Sequence, residues 1–186
     1  MDVKEAIKIR RSIRKYKNTE VSGDLINEII DAARLAPSGH NAQPAIYFIV
    51  RDVRTKQALK DAKVFKQNFV CESPAIIVCC GNPDVYGKTE DPDGSDDSLE
   101  SRTFRDVAIA SSYLVLRATE LGLGTCYIGW RHKENIKKVL NIPKNFVVPF
   151  VITLGYPAES PSATLRKKIK DIMKIVQPID TQRQID

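Results

Sequence analysis

The sequence predicts an α+β domain in which helices pack a mixed sheet. Three observations carry that prediction. Apolar runs rich in branched and aromatic residues fall at 45–51, 75–80 and 145–154. Segments near 2–10, 22–36 and 102–121 repeat their apolar residues at helical spacing. No internal repeat or compositional break marks a second domain. At 186 residues, 42% hydrophobic and 28% charged, the chain is long enough to bury one core.

The elements follow in order. Asp2 with Glu5 resembles a capping box, and Val3, Ala6 and Ile7 continue it as a helix ending near Arg10. A second helix starts at Ser22, with Val21 placed to staple onto Ile26, and Leu25, Ile26, Ile29, Ile30 and Ala33 form its apolar face. Pro37 stops it. After a polar loop, 37–44, come a strand at 45–51, a short helix at 54–62 and a wholly apolar strand at 75–80, expected to be buried on both faces. A long acidic loop, 82–100, precedes a helix over 102–121. That helix carries no charge from Val107 to Leu116 and is capped by Gly122; small residues at Ala108, Ala110, Ser111 and Ser112 permit a close neighbour. A strand at 125–130, a helix at 133–140 and a strand from Asn145 to Leu154 follow, with Pro149 marking an edge or a bulge. After the Gly155-Tyr156-Pro157 turn, Leu165, Ile169, Ile172, Met173 and Val176 recur at helical spacing.

Composition excludes several classes of function. No apolar run is long enough to cross a bilayer, and the N-terminus lacks the apolar stretch of a secretory signal, so a cytoplasmic location is expected. Cys71, Cys79, Cys80 and Cys126 match no zinc spacing and read as buried free thiols, in keeping with that location; no metal site is expected. The net charge is +6, unevenly spread. Residues 84–100 hold seven acids against Lys88 alone, leaving 28 bases against 16 acids elsewhere. Basic clusters stand at Arg10, Arg11, Arg14, Lys15 and Lys17 and at Arg166, Lys167, Lys168 and Lys170. Such clusters suit nucleic acid, an anionic membrane, a phosphorylated small molecule, or simply solvent.

Two constellations could carry chemistry. In Arg10-Arg11-Ser12-Ile13-Arg14, an extended chain would point Arg10, Ser12 and Arg14 to one face. Guanidinium forks and a hydroxyl suit phosphate oxygens, though a solvated basic stretch would read the same way. The loop 37–44 is dense in hydrogen-bonding groups, and its backbone amides could face an anion or a polar ring; an ordinary helix-to-strand connection would look alike. Gly122-Leu123-Gly124 is no dinucleotide fingerprint, because Tyr127 stands where a third glycine belongs and a helix precedes it. No P-loop or nucleophile motif is present, and His40 and His132 lie outside any triad pattern, which argues against a hydrolase.

Taken together, RRSIRKY (10–16), APSGHNAQP (36–44), DVAIASSYLVLRATELGLGTCYIG (106–129) and LGYP (154–157) with basic residues after it resemble the nitroreductase family of flavoproteins over nearly the whole chain. The resemblance implies a mixed, mainly antiparallel central sheet flanked by helices. It implies one domain over 1–186, with 158–186 as an extension wrapping a homodimer partner, and FMN at the interface. By analogy Arg10, Arg11 and Ser12 hold the phosphate and ribityl end, and Arg14 lies near the pyrimidine edge of the flavin. Pro37, Ser38 and Gly39 pack near the ring, and Asn41 and Gln43 make polar contacts, some across the interface. Ile128 and Gly129 offer backbone to the ring. Arg166, with Lys167 or Lys168, reaches the phosphate, and Asn68 sits where some members place a flavin contact. The implied activity is a ping-pong transfer of electrons from NAD(P)H to an electron-poor acceptor such as a nitroaromatic or quinone. The flavin carries the chemistry, so no dedicated catalytic side chain is expected. Partners are thus NAD(P)H, the acceptor and a second copy, with no nucleic acid and no membrane. The alternatives are a flavin-binding protein or another reductive enzyme, dehalogenase-type, on the same scaffold. Ala45, where many members have an aromatic residue, and the acidic segment 84–100 leave the acceptor open.

Overall fold

A computed structural model of the chain describes residues 1–87 and 98–176. The helices are α1 (Val3–Ile9), α2 (Gly23–Arg34), α3 (Val53–Asp61), α4 (Phe69–Glu72), α5 (Leu99–Glu120), α6 (Lys133–Leu140) and α7 (Ile169–Ile172). The strands are β1 (Ala45–Val50), β2 (Ala75–Gly81), β3 (Gly124–Ile128) and β4 (Val147–Gly155). Helix starts follow their local chemistry. The Asp2 carboxylate accepts from the Glu5 amide at 2.7 Å, and the Ser22 hydroxyl accepts from Leu25. Val21 and Ile26 are both buried, as a hydrophobic staple requires. Helix α5 starts earlier than its apolar pattern suggests, because Ser98 caps it through Ser101. It ends in a Schellman motif: Gly122, at φ 74°, donates to Thr119, and Leu123 donates to Ala118.

The four strands run in the order β1-β2-β4-β3, and all three pairings are antiparallel. Among the described residues the parallel component of the expected mixed sheet is a single bridge, Ser12 to Thr125. Strand β2 is buried throughout, as its apolar run demands. On one face Ile77, Cys79, Phe150 and Ile152 pack beneath α2 and α5, through Ile29, Val107, Leu114 and Ala118. On the other, Ile76, Val78, Cys80 and Val151 pack against Leu59, Val70 and Ile136 of α3, α4 and α6.

Pro149 lies in a central strand, and a bulge is what permits it. The β2–β4 register runs Cys79 to Phe150 and then Gly81 to Val147, so two residues of β4, Val148 and Pro149, stand opposite Cys80. The extra residue shifts the alternation, which is why Val148 and Val151 share one face. Two expectations need correction. The strand at 125–130 stops at Ile128, leaving Gly129 and Trp130 outside the ladder. Residues 165–176 form only the four-residue α7, because nothing among the described residues receives their apolar side chains: Leu165 is 99% exposed and Val176 86%. Within the acidic segment, Glu90, Asp91, Asp93, Asp96 and Asp97 lie outside the described residues, as does 177–186 of the C-terminal extension. No helix among the described residues is long and apolar enough to cross a membrane.

All four cysteines are free thiols. Burial raises every one, Cys80 to about 12, and only Cys71 is partly exposed. Alkylation of the native protein near pH 8, followed by peptide mapping, should label Cys71 first. Cys79, Cys80 and Cys126 should react only after denaturant is added.

Candidate functional site

Helix α1 ends at Arg10, whose backbone turns to φ −52°, ψ 128°, and the chain then runs extended along the edge of β3. The Ile13 amide donates to Thr125 O at 2.9 Å. Ile13 is buried directly over Gly124, where a Cβ would come within 2.8 Å of it, so only glycine admits the segment this closely. Residues 12–17 are gripped from the far side as well. The Tyr16 hydroxyl donates to Ile13 O at 2.6 Å and shares a 2.6 Å hydrogen bond with Thr153. Glu159 accepts from the Arg14 and Lys15 amides, and Lys15 O accepts from Ala158.

With Ile13 turned inward, Arg10, Ser12 and Arg14 gather at the middle of β3. All three act on the Cys126 thiol in the direction of its thiolate, although burial outweighs them, and Arg10 also acts on Tyr127. The segment therefore lies beside Thr125, Cys126 and Tyr127. Ile128 is buried and Gly129 exposed, with open space where a Gly129 side chain would project. Arg11 turns back to donate to Lys8 O and Arg10 O, both at 2.8 Å, while its Nε is buried without a hydrogen-bond partner. Arg10, Arg11, Gly124, Pro157 and Glu159 line one groove of about 270 Å³.

The loop after α2 forms a separate wall. His40, Asn41 and Gln43 all adopt left-handed backbone, with φ between 51° and 56°, which is costly for side chains of this kind. Hydrogen bonds hold it. The Gln43 amide donates to the Ser38 hydroxyl at 2.9 Å, and Asn82 donates to Pro44 O. The Gly39 amide donates to Asp106 Oδ2 at 2.7 Å, and the same oxygen accepts from the Tyr86 hydroxyl at 2.8 Å. Pro37, Ser38 and Gln43 line a cavity of about 260 Å³ with Tyr47 and Asp106. Asn41 is exposed and lines neither that cavity nor the groove.

Within one chain the structure unites the arginine segment with β3. The loop opens onto its own cavity, which shares no lining residue with the groove that Arg10 and Arg11 line. Arg166 and Lys167 lie in an exposed segment, as does Lys168, and Arg166 donates to the Thr164 hydroxyl in its own turn. Asn68 is exposed just ahead of α4; Lys66, two residues before it, places its ammonium 4.4 Å from the centroid of the Trp130 ring, next to Gly129. Sequence reasoning missed Tyr16, Tyr86, Asp106 and Glu159, which position the others. Only Asp106 had a local signal: a lone acid on the buried 103–107–110–114 stripe of α5.

A sequence profile described as the nitroreductase family matches residues 7–64 and 57–156. A protein of Methanothermobacter thermautotrophicus assigned as an NADH dehydrogenase/NAD(P)H nitroreductase is 37% identical over 166 residues, covering 87% of this chain and 80% of its own. The NADH dehydrogenase of Thermus thermophilus is 31% identical over 185 residues, covering 86% and 88%. A crystal structure from Exiguobacterium sibiricum, assigned as a nitroreductase in complex with FMN, aligns with a TM-score of 0.83 at 25% identity, over 95% of this chain and 98% of that one.

The tyrosines set an alkaline limit on this architecture. Burial raises Tyr16, Tyr47 and Tyr127 above the ordinary 10.0, Tyr127 to about 12. The folded chain keeps phenolic protons that the unfolded chain releases above about pH 10, so this contribution to stability is whole below that pH and is lost as pH rises from there through the folded values, about 12 for Tyr127. The urea midpoint should hold up to about pH 10 and fall beyond it, and Tyr16→Phe should fall less steeply.

Proposed function

The chain belongs to the nitroreductase family. From that premise we propose an FMN-dependent NAD(P)H oxidoreductase that works as a homodimer and transfers electrons by a ping-pong mechanism to a small electron-poor acceptor, such as a nitroaromatic or a quinone. The observation that carries the reading is the arginine segment laid along β3. It sets guanidinium and hydroxyl donors along the strand that leads to exposed backbone at Gly129, with a buried Arg11 Nε that lacks an acceptor. These groups fit FMN, whose anionic end needs charged donors and whose ring needs open backbone. When bound, FMN supplies a ring that accepts hydride and donates electrons.

In this reading Arg10, Arg11 and Ser12 bind the phosphate and ribityl end. Arg14 holds a positive charge at the pyrimidine edge, where it favours the reduced, anionic form. Ile128 and Gly129 offer backbone to the ring. Pro37, Ser38 and Gly39 pack against it, Asn41 and Gln43 add polar contacts, Asn68 lies at the rim, and Arg166 with Lys167 or Lys168 closes on the phosphate. Two observations support a dimer. The loop and the arginine segment line separate cavities, as they would if a full site drew on two copies. Side chains on α5 (Phe104, Tyr113) and along the tail (Leu165, Ile169, Val176) leave apolar surface exposed in one chain. Free thiols in all four cysteines support a cytoplasmic location.

The purified protein should be yellow, with a flavin absorption spectrum, and should oxidise NAD(P)H when supplied with a nitroaromatic or quinone. Arg10→Ala should stay folded by circular dichroism yet hold FMN about 10- to 100-fold more weakly, as loss of one or two charge-assisted bonds implies. Dilution with recovery of free-flavin fluorescence measures this, and unchanged retention would remove Arg10 from the phosphate site.

A further inference from the structure

Among the described residues Asp106 is the only buried acid or base, at 3% exposure, and it sits on the apolar face of α5. Burying a carboxylate costs several kcal/mol unless hydrogen bonds offset the loss of water. If the need were only core packing, an apolar side chain of similar volume would serve as well. The partners of Asp106 show another need. Its Oδ2 takes the Gly39 amide at 2.7 Å and the Tyr86 hydroxyl at 2.8 Å, while Arg105 Nε stands 3.4 Å from Oδ1. Gly39 opens the turn that contains His40, Asn41 and Gln43, all in left-handed backbone. A turn of that kind persists only where its surroundings hold it. Other bonds of the loop run from the Gln43 and Asn41 amides to Ser38, from the Gln43 side chain to Asn41 O, from Ala42 to Gly39 and from Asn82 to Pro44. None of these reaches α5; the Asp106 bond does.

We infer that Asp106 is a positioning residue for cofactor binding: its buried carboxylate fastens the 37–44 loop to α5 and so sets Pro37, Ser38 and Gly39 against the flavin. The inference rests on the FMN reading above. The shared oxygen also ties Tyr86, from the turn after β2, to the same point. Loop and turn therefore take their positions from one atom of the rigid central helix.

Three variants of the full-length protein test it, each purified with its flavin and compared in FMN release on dilution and in the visible circular dichroism of the bound flavin. Asp106→Ala should release FMN about tenfold faster or more and alter the flavin dichroism, as expected on losing a charge-assisted bond. Asp106→Asn keeps one oxygen able to accept both bonds and should restore both readouts to near wild type. Gly39→Pro removes the donor at a first helical position that accepts proline, and its ring Cδ, standing where the amide hydrogen was, pushes the Asp106 carboxylate off the loop. It should lose FMN as Asp106→Ala does, and it keeps the question answerable if Asp106→Ala does not fold. A lowered melting temperature with wild-type release and unchanged dichroism in Gly39→Pro or Asp106→Ala would reduce Asp106 to a structural role and overturn the inference. A wild-type protein that takes up no FMN would instead overturn the functional reading.

Discussion

The backbone bond from Ile13 to Thr125 governs where the charge of this protein sits. It lays the chain that leaves α1 against the edge of β3, and the missing side chain at Gly124 lets Ile13 close the gap. Once that contact forms, alternation does the rest. Ile13 turns inward, and Arg10, Ser12 and Arg14 turn to the strand edge beside Tyr127. Tyr16 and Glu159 hold the segment from behind, using backbone and hydroxyl bonds that leave the guanidinium groups of Arg10 and Arg14 out of the clamp. Cations gathered in this way repel one another, and a rigid clamp is what keeps them together.

Helix α5 provides the second fixed reference. It lies over the sheet through Val107, Leu114 and Ala118, and its end is sealed by Gly122. A central helix fastened in this manner can hold a neighbouring loop in costly backbone conformations, because the helix itself cannot yield. The polar tie at Asp106 and the apolar packing around it are thus two parts of one arrangement: the core supplies rigidity and the carboxylate transmits it to residues 37–44.

The arginine segment and β3 come together, whereas the loop opens onto its own cavity and the apolar tail meets nothing. An exposed leucine or valine costs little alone, but a row of them over 165–176 is the surface a second copy would bury. In a dimer of that kind, association and cofactor binding would be linked by mass action, each favouring the other.

Much of the fold is legible residue by residue, because its causes are local. Asp2 and Ser22 cap their helices, Val21 staples onto Ile26, Gly122 stops α5, and the unbroken apolar run at 75–80 marks a strand covered on both faces. The arginine-serine segment and the polar loop were also visible, as spaced donors in sequence order. What the chain order alone left open depends on distant partners. These are the bulge that seats Pro149 in a central strand, the early end of β3, the unpacked tail, and the tie from Asp106 to Gly39 across 67 positions. A cap or an alternating stripe is settled within a few residues by backbone geometry. A bulge, a buried carboxylate or an uncovered apolar row gains its meaning from whatever stands opposite, and only the folded chain brings that partner into place.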